Sequence, residues 1–318
     1  MRKSPLSFLA GVLRARRFLR AFKPDVVHSH SFHANLLARL LRIVHPSMLV
    51  VSTVHNIYEG GRLRMAAYRL TDWLSSRTVA VSQAAATRFV RLKAIPARKC
   101  VVIPNGIDAI EFSPNTNRRA ATRSSMNVEA HFVWLTAGRH VPAKDLPNLV
   151  EAFRLVLEEF CDAELWIAGA PPDAKVIRGE DGRTSYAWLV GMPGGMRERV
   201  RWLGLRRDIP ALLDAADAFV LASAWEGMPL ALGEAMAMAK PVVATDVGGV
   251  RELVGDAGTL VPAKNATVLA AAMIEMMRKS TQERAELGIR SRQRIQEHFS
   301  LDATVNAWEK LYKETSGQ

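Results

Sequence analysis

Cysteine is almost missing from this chain of 318 residues. Cys100 and Cys161 fit neither a metal-ligand spacing nor a disulfide framework, which points to a reducing cytoplasm. Long apolar runs are also missing, and no stretch of about 18 apolar residues reads as a membrane-spanning helix. Met1-Arg2-Lys3 and the run from Ser7 to Leu13 look like the start of a signal peptide. The run stops at Arg14, however, and no small-residue cleavage site follows. Acidic side chains are scarce in the first 120 residues, where 20 Lys and Arg face 5 Asp and Glu, a charge of +15. The rest of the chain has 23 against 26, a charge of −3, so the net +12 arises entirely in the first part. Such a half is expected to meet something anionic. Zinc-finger, helix-turn-helix and aromatic RNA-binding signatures are absent, which sets nucleic acid aside and leaves an acidic membrane surface.

Short apolar runs alternate with helical patterns throughout, as in parallel sheets with crossover helices. Asp25 to Val27, Met48 to Val54, Thr78 to Val81 and Cys100 to Ile103 read as strands of a first α/β domain, residues 1–112. The polar, basic stretch 113–128 reads as a linker. Phe132 to Ala137, Glu164 to Ala168, Val200 to Leu203, Ala218 to Leu221, Pro241 to Ala244 and Thr259 to Val261 read as strands of a second domain, 129–298. A last helix lies within 299–318. Near the start, Phe8, Val12, Leu19 and Phe22 recur at helical spacing with Arg14, Arg16, Arg17 and Arg20 between them. That pattern suits a helix packed on a core or a basic helix lying against lipid.

Two motifs carry chemistry. Gly138-Arg139-His140-Val141-Pro142-Ala143-Lys144 follows a strand and leads into a helix, so backbone can approach an anion and two cations can neutralise it. Trp225-Glu226-Gly227-Met228-Pro229-Leu230 then leads to Glu234, eight residues beyond Glu226. A turn at Gly227-Met228-Pro229 places Glu226 at a strand's C-terminal end and Glu234 two turns into a helix. Two carboxylates so placed can accept hydroxyls from two parts of one extended ligand. In isolation the pair also fits a helix with one buried and one surface Glu. His55 closes a predicted strand at its C-terminal end, a ligand-side position that a core or capping histidine can also occupy. His28-Ser29-His30 has metal-pair spacing but no evident third ligand, so no metal is assigned.

Together these segments resemble the retaining family 4 glycosyltransferases, whose G-R-x4-K and E-x7-E signatures they match. Pro104-Asn105-Gly106-Ile107-Asp108 is similar to the family's turn before the linker, and Gly248-Gly249-Val250-Arg251-Glu252 to its G-G-x-x-E turn. The resemblance implies a GT-B fold, with two Rossmann-like domains facing a cleft and the last helix crossing back to the first. It also implies roles. Arg139 and Lys144 would hold the diphosphate of a nucleotide-sugar donor, with Gly138 beside them. Glu226 would hold sugar hydroxyls, Glu234 the ribose, and backbone around Gly227, Met228, Pro229 and Leu230 the sugar and phosphate. Leu203 and Gly204, in the family's F-L-G position, would lie near the base. His55 would support the reacting sugar, which gives Glu226, His55, Arg139 and Lys144 as the catalytic set. Domain closure would exclude water. No D-x-D motif occurs, which argues against the metal-dependent GT-A class, and no cofactor is implied beyond the donor substrate.

The chain departs from the family in having no early strands or Gly-rich loop, so its first domain is read as incomplete. Gly169-Ala170-Pro171-Pro172 replaces G-x-G-P ahead of a Gly-rich connection over 173–198, and Lys240 stands where a Gly is usual. The expected function is metal-independent, retaining sugar transfer to a carbohydrate or lipid-linked acceptor in cell-surface polysaccharide synthesis. The expected place is the cytoplasm, at the inner face of the membrane. The alternative is a non-catalytic remnant that only binds nucleotide sugar.

Overall fold

The computed structural model describes residues 5–169, 176–178, 184–186 and 194–317. Met1-Arg2-Lys3, the Ala170-Pro171-Pro172 turn and most of the 173–198 connection therefore lie outside the described residues, as does the side chain of Phe8. The described chain divides into two compact units, Met1–Pro104 with Thr304–Gln318, and Asn105–Ala303.

The first unit runs α1 (Pro5–Phe22), β1 (Val26–His30), α2 (Phe32–Val44), β2 (Leu49–Val54), α3 (Arg62–Thr71), β3 (Arg77–Ala80), α4 (Gln83–Arg91) and β4 (Cys100–Val102). Its strands pair in chain order, β1-β2-β3-β4, and all are parallel. Parallel strands buried on both faces need apolar side chains at nearly every position, and β2 has them, with Val50, Val51 and Val54 fully buried. Helix α4 starts at a conventional cap, Ser82 accepting from the Ala85 amide at 3.2 Å. Helix α1 packs Val12, Ala15 and Leu19 against Ala38 and Leu41 of α2 and Val50 of β2. Phe22, expected on that inner face, is instead exposed and stacks on Phe18 at 5.4 Å. The inward stripe follows the turn from Val12 through Ala15 to Leu19, and Phe22 at the helix end runs past the sheet edge.

The sequence's polar His28-Ser29-His30 continues β1 rather than ending it, because its backbone pairs in register with Val51, Ser52 and Thr53. Helix α13 (Leu301–Ser316) contributes Leu311, Ala307 and Trp308 to a core with Val51, Val79 and Ile103. Its Tyr312 hydroxyl lies 2.7 Å from His28 Nδ1, and Thr53 Oγ1 lies 2.7 Å from His28 Nε2.

The second unit opens with α5 (Thr116–Ser125), then β5 (Val133–Ala137), α6 (Leu146–Leu157), β6 (Glu164–Ala168), a short antiparallel pair β7 (Val176–Arg178) and β8 (Thr184–Tyr186), α7 (Gly194–Arg199) and β9 (Val200–Gly204). It continues with α8 (Ile209–Ala215), β10 (Ala218–Leu221), α9 (Leu230–Ala237), β11 (Val242–Thr245), α10 (Val250–Val254), β12 (Thr259–Val261), α11 (Ala266–Arg278) and α12 (Thr281–His298). Its six-stranded parallel sheet has the order β12-β11-β10-β5-β6-β9. The chain thus starts at the sheet centre, builds to one side, and returns to build on the other. This is the doubly wound order, and the reversal falls between β5 and β10. Trp134, Leu149, Phe153, Leu165, Ile167, Val220 and Met273 belong to its core.

The stretch 113–128, expected as a linker, is mostly helix and part of the second unit. The first unit also closes at Pro104, ahead of the expected 112. Ile107 pairs with Ser300 and fits against Gly233, which carries its segment into the second unit. Apolar content hid α5 because the helix is held by charge. Arg118 pairs with Asp214, and Arg119 with Asp217 at 2.6 Å. Arg119 also donates to the carbonyls of Asp214, Ala215 and Ala216 at the end of α8. Buried Arg123 reaches Asp217, the Ala215 carbonyl and the Val128 carbonyl. Lys240 adds two more bonds to the same α8 carbonyls. Cations at a helix C-terminus satisfy its orphan carbonyls and its dipole.

Two predictions rest on these contacts. Arg123→Leu takes one of two cations from Asp217 and removes the bonds to the Glu129 and His131 carbonyls, so unfolding free energy drops by about 2 kcal/mol. A urea midpoint lowered at unchanged slope reports it; an unaltered midpoint contradicts the clamp. The second concerns His28, whose imidazole is driven down to about 4 by burial and by neighbouring His30 and His55. Its folded value lies below the unfolded one, so its contribution is complete above about pH 6.5. It is lost as pH falls through 4. His28→Phe should therefore flatten the acid side of the stability profile, and a profile as steep as wild type contradicts it.

Candidate functional site

At the strand-order reversal of the second unit, two loops meet. The first leaves β5 at Gly138 and passes through a 3-10 turn, Pro142–Lys144, to Asp145, which caps α6 in a left-handed conformation with φ 44°. The second leaves β10 through Ser223 and Glu226 to the start of α9. A backbone bond from the Ala224 amide to the Ala143 carbonyl, 2.8 Å, ties the loops together. Lys144 Nζ donates to Glu226 Oε1 at 2.6 Å, and Ser223 Oγ donates to the same oxygen at 2.7 Å. Glu226 is buried; Lys144 is only slightly more open. Two residues separated by more than 80 positions in sequence are thus one ion pair at the carboxyl edge of the sheet. A buried carboxylate held by an ammonium and a hydroxyl is fixed in direction.

Arg139 is exposed and makes no ion pair among the described residues. With Gly138, Thr136, Lys144, Leu146 and Leu221 it lines a small cavity. Gly138 and Gly169 close the neighbouring strand ends. The Gly138 amide donates to the Ala168 carbonyl at 2.9 Å, and the Gly169 amide to the Gly204 carbonyl at 2.7 Å. A Cβ on Gly169 would lie 1.8 Å from the Gly138 carbonyl oxygen, and its φ is +137°, so only glycine fits. Strand β9 carries a bulge here. Ile167 faces Trp202 and Ala168 faces Gly204, which leaves Leu203 as the extra residue. Trp202 meets the His140 ring edge-to-face at 5.2 Å.

Gly227, Met228 and Pro229 are buried, whereas Leu230 is about half exposed at the first turn of α9. The Gly227 carbonyl accepts from the Gly249 amide at 3.0 Å, which joins the turn to the Gly248-Gly249 loop. Asn105 donates its side-chain amide to the Met228 carbonyl at 3.2 Å. No side chain caps α9, so its first amides face the same edge as Glu226. Glu234 lies within α9, half-buried, and its carboxyl is pushed above the usual range by burial and by Glu111.

The structure therefore gathers Gly138, Lys144 and Glu226 at one point, with Arg139 beside them. Leu203 and Gly204 lie two strands away, beyond β6. His55 belongs to the first unit, at the end of β2, with its amide on Glu59 Oε1 at 3.2 Å. Its Nε2 lies 2.8 Å from His30 Nδ1. Sequence reading overlooked Ser223, Asn105 and His30 as site residues. Asn105 and His30 stood inside motifs already singled out, His30 as half of a pair with metal-ligand spacing, while Ser223 has no signal beyond its position after a strand. Among the described residues, no three or more His, Cys, Asp or Glu side chains group to hold a metal ion.

Comparison with known proteins places this geometry. Residues 1–110 match the family described as Glycosyltransferase Family 4, and residues 131–279 match that described as Glycosyl transferases group 1. The chain is 28% identical over 245 residues to the Escherichia coli UDP-Gal:alpha-D-GlcNAc-diphosphoundecaprenol alpha-1,3-galactosyltransferase, covering 73% of this chain and 60% of that protein. It is 28% identical over 274 residues to the phosphatidyl-myo-inositol mannosyltransferase of Mycobacterium leprae, covering 83% and 67%. The chain thus spans less than two thirds of the galactosyltransferase. In fold it is similar to Anabaena HepE, crystallised with UDP-glucose, at a TM-score of 0.84 and 22% identity over 98% of this chain and 84% of that one. Two parallel-sheet α/β units and both family matches agree: the chain belongs to glycosyltransferase family 4, of the group 1 glycosyl transferases with the GT-B fold.

Proposed function

We propose that the protein transfers a sugar, with retention and without a metal ion, from a nucleotide-diphosphate donor to a carbohydrate or lipid-linked acceptor. The observation that carries this reading is the Lys144–Glu226 pair at the strand-order reversal, with Arg139 free beside it in a family 4 chain. Lys144 has three donors. It can keep Glu226 and still give a bond to a diphosphate oxygen, while the Arg139 fork takes others. The first amides of α9 add partial positive charge. Together they neutralise the charge that grows on the leaving diphosphate, the work a divalent cation does elsewhere. Glu226, held by Lys144 and Ser223, accepts hydroxyls of the donor sugar, and Glu234 those of the ribose. The bond from C1 to the phosphate oxygen breaks as the acceptor oxygen bonds to C1 on the same face. The acceptor proton passes to the departing phosphate oxygen. His55 is assigned to support the reacting sugar.

A uridine diphosphate sugar is the first donor to test, since the Escherichia coli relative is named for UDP-galactose. That name and the mannosyltransferase's both specify acceptors on a lipid. The first unit has a matching surface. Helices α1, α2 and α3 lie side by side and together hold nine arginines, of which Arg39 is buried, and no acidic residue. Outward they present Leu13, Phe18 and Phe22, then Leu40 and Ile43, then Leu63 and Leu70. Arginines among apolar anchors suit an anionic bilayer surface, which would place the enzyme at the inner leaflet. No described helix is long and apolar enough to cross a membrane.

Glu226→Gln and Arg139→Ala should each lower sugar transfer by about 100-fold, in line with loss of one preorganised electrostatic contact. Wild-type rates in both contradict the site, and UDP binding without transfer by the unmodified chain favours the binding-only alternative. For the membrane surface, the protein should float with phosphatidylserine vesicles at low salt and be released by high salt. The triple change Phe18→Ser, Phe22→Ser, Leu63→Ser should abolish flotation. Equal flotation of neutral and anionic vesicles contradicts the charge argument.

A further inference from the structure

The first unit carries a histidine cluster of which the transfer reading uses only His55. At the C-terminal ends of β1 and β2, His30 Nδ1 and His55 Nε2 share a hydrogen bond of 2.8 Å. The His28 ring lies tilted beside them, with ring centroids 4.1 Å from His30 and 4.4 Å from Trp308. His28 is fixed at both nitrogens, by the Tyr312 hydroxyl and by Thr53 Oγ1, each at 2.7 Å. It is held neutral by burial. His30 therefore rests on a rigid, uncharged floor. The His55 amide is anchored to Glu59, whose other carboxylate oxygen accepts from Tyr68 at 2.7 Å.

A bond between two imidazole nitrogens needs one proton between them. If His30 Nδ1 carries it, His55 Nε2 is bare and its proton sits on Nδ1. If His55 Nε2 carries it, His30 Nδ1 is bare and its proton sits on Nε2. The neutral pair therefore holds both rings in the same tautomer, and His55 Nδ1 is the nitrogen left for a ligand. Among the described residues that atom has no hydrogen-bond partner.

We propose that His30 is a positioning residue, which fixes the ring plane of His55 and ties its tautomer to its own, so that His55 presents Nδ1 to a sugar at the carboxyl end of the first unit's sheet. This rests on the reading of His55 as the sugar-supporting residue of the first unit. Register supports it: β1 and β2 are parallel neighbours, His30 faces Thr53, and His55 follows two residues on. Both rings therefore project from adjacent strand ends, where a parallel sheet presents its ligand-side loops.

The test uses the full chain, UDP-glucose turnover and histidine NMR. His30→Phe keeps the stacking on His28 but removes the nitrogen. Turnover should fall about three- to tenfold in kcat with KM little changed, the factor one hydrogen bond of ordinary net strength supplies. His30→Gln, which can still bond His55, should restore most of it. In the His55→Ala background, His30→Phe should cost nothing further. The His30 and His55 rings should show the same tautomer in the wild type, and the His55 ring nitrogens should move to a different tautomer balance in His30→Phe. Wild-type kcat in His30→Phe, or an unchanged His55 tautomer, overturns the proposal. Full activity in His55→Ala overturns the underlying reading of His55 instead, and the nitrogen spectra then decide the pairing alone.

Discussion

A lysine ammonium 2.6 Å from a glutamate carboxylate holds the second unit's two ligand-side loops in one place. Neither side chain could stay there alone, because each would leave a charge largely out of water without a counter-ion. Paired, with Ser223 completing the carboxylate, they make a rigid polar point at the edge of a sheet whose interior is otherwise apolar. Other features of that edge are arranged around it. The loops are bound to each other through Ala143 and Ala224, and the Gly227 turn is bound to the Gly248-Gly249 loop. Close packing of Gly169 on the Gly138 carbonyl keeps the neighbouring strand ends level.

The arginines of α5 do for stability what the Lys144–Glu226 pair does for the site. Helix α8 ends in carbonyls that nothing in its own sequence satisfies, and Arg119, Arg123 and Lys240 bind them from outside. Asp217 is shared between Arg119, Arg123 and the Val133 amide, so the clamp also fixes where β5 begins. Position of the strand and position of the loop after it are then one problem. The first unit solves its own version with neutral groups. His28, half-buried on β1 between Tyr312 of α13 and Thr53 of β2, takes a hydroxyl at each nitrogen and gives up its charge.

Charge is divided between the units according to what each meets. Nine of the first unit's basic residues lie in helices α1, α2 and α3, which also carry outward Leu and Phe side chains. In the second unit most arginines are consumed by internal carbonyls and carboxylates, and the exposed Arg139 stands at the site.

By itself the sequence determined the parallel α/β class, most strand positions and the two motifs of the second unit. Apolar runs of strand length bounded by Gly, Pro and Asp are local signals, and a buried parallel strand needs little else. It also determined that Gly138, Lys144 and Glu226 belong to loops after strands. Tertiary structure alone decided that Lys144 and Glu226 touch, because strand order, not chain order, puts β5 beside β10. It alone turned 113–128 from an apparent linker into a helix, since α5 is held by ion pairs with residues nearly a hundred positions away. It moved Phe22 outward, where periodicity had placed it inward, because the helix outruns the surface it packs on. And it joined His30 to His55 across two strand ends, a contact that depends on register and leaves no mark in composition or spacing.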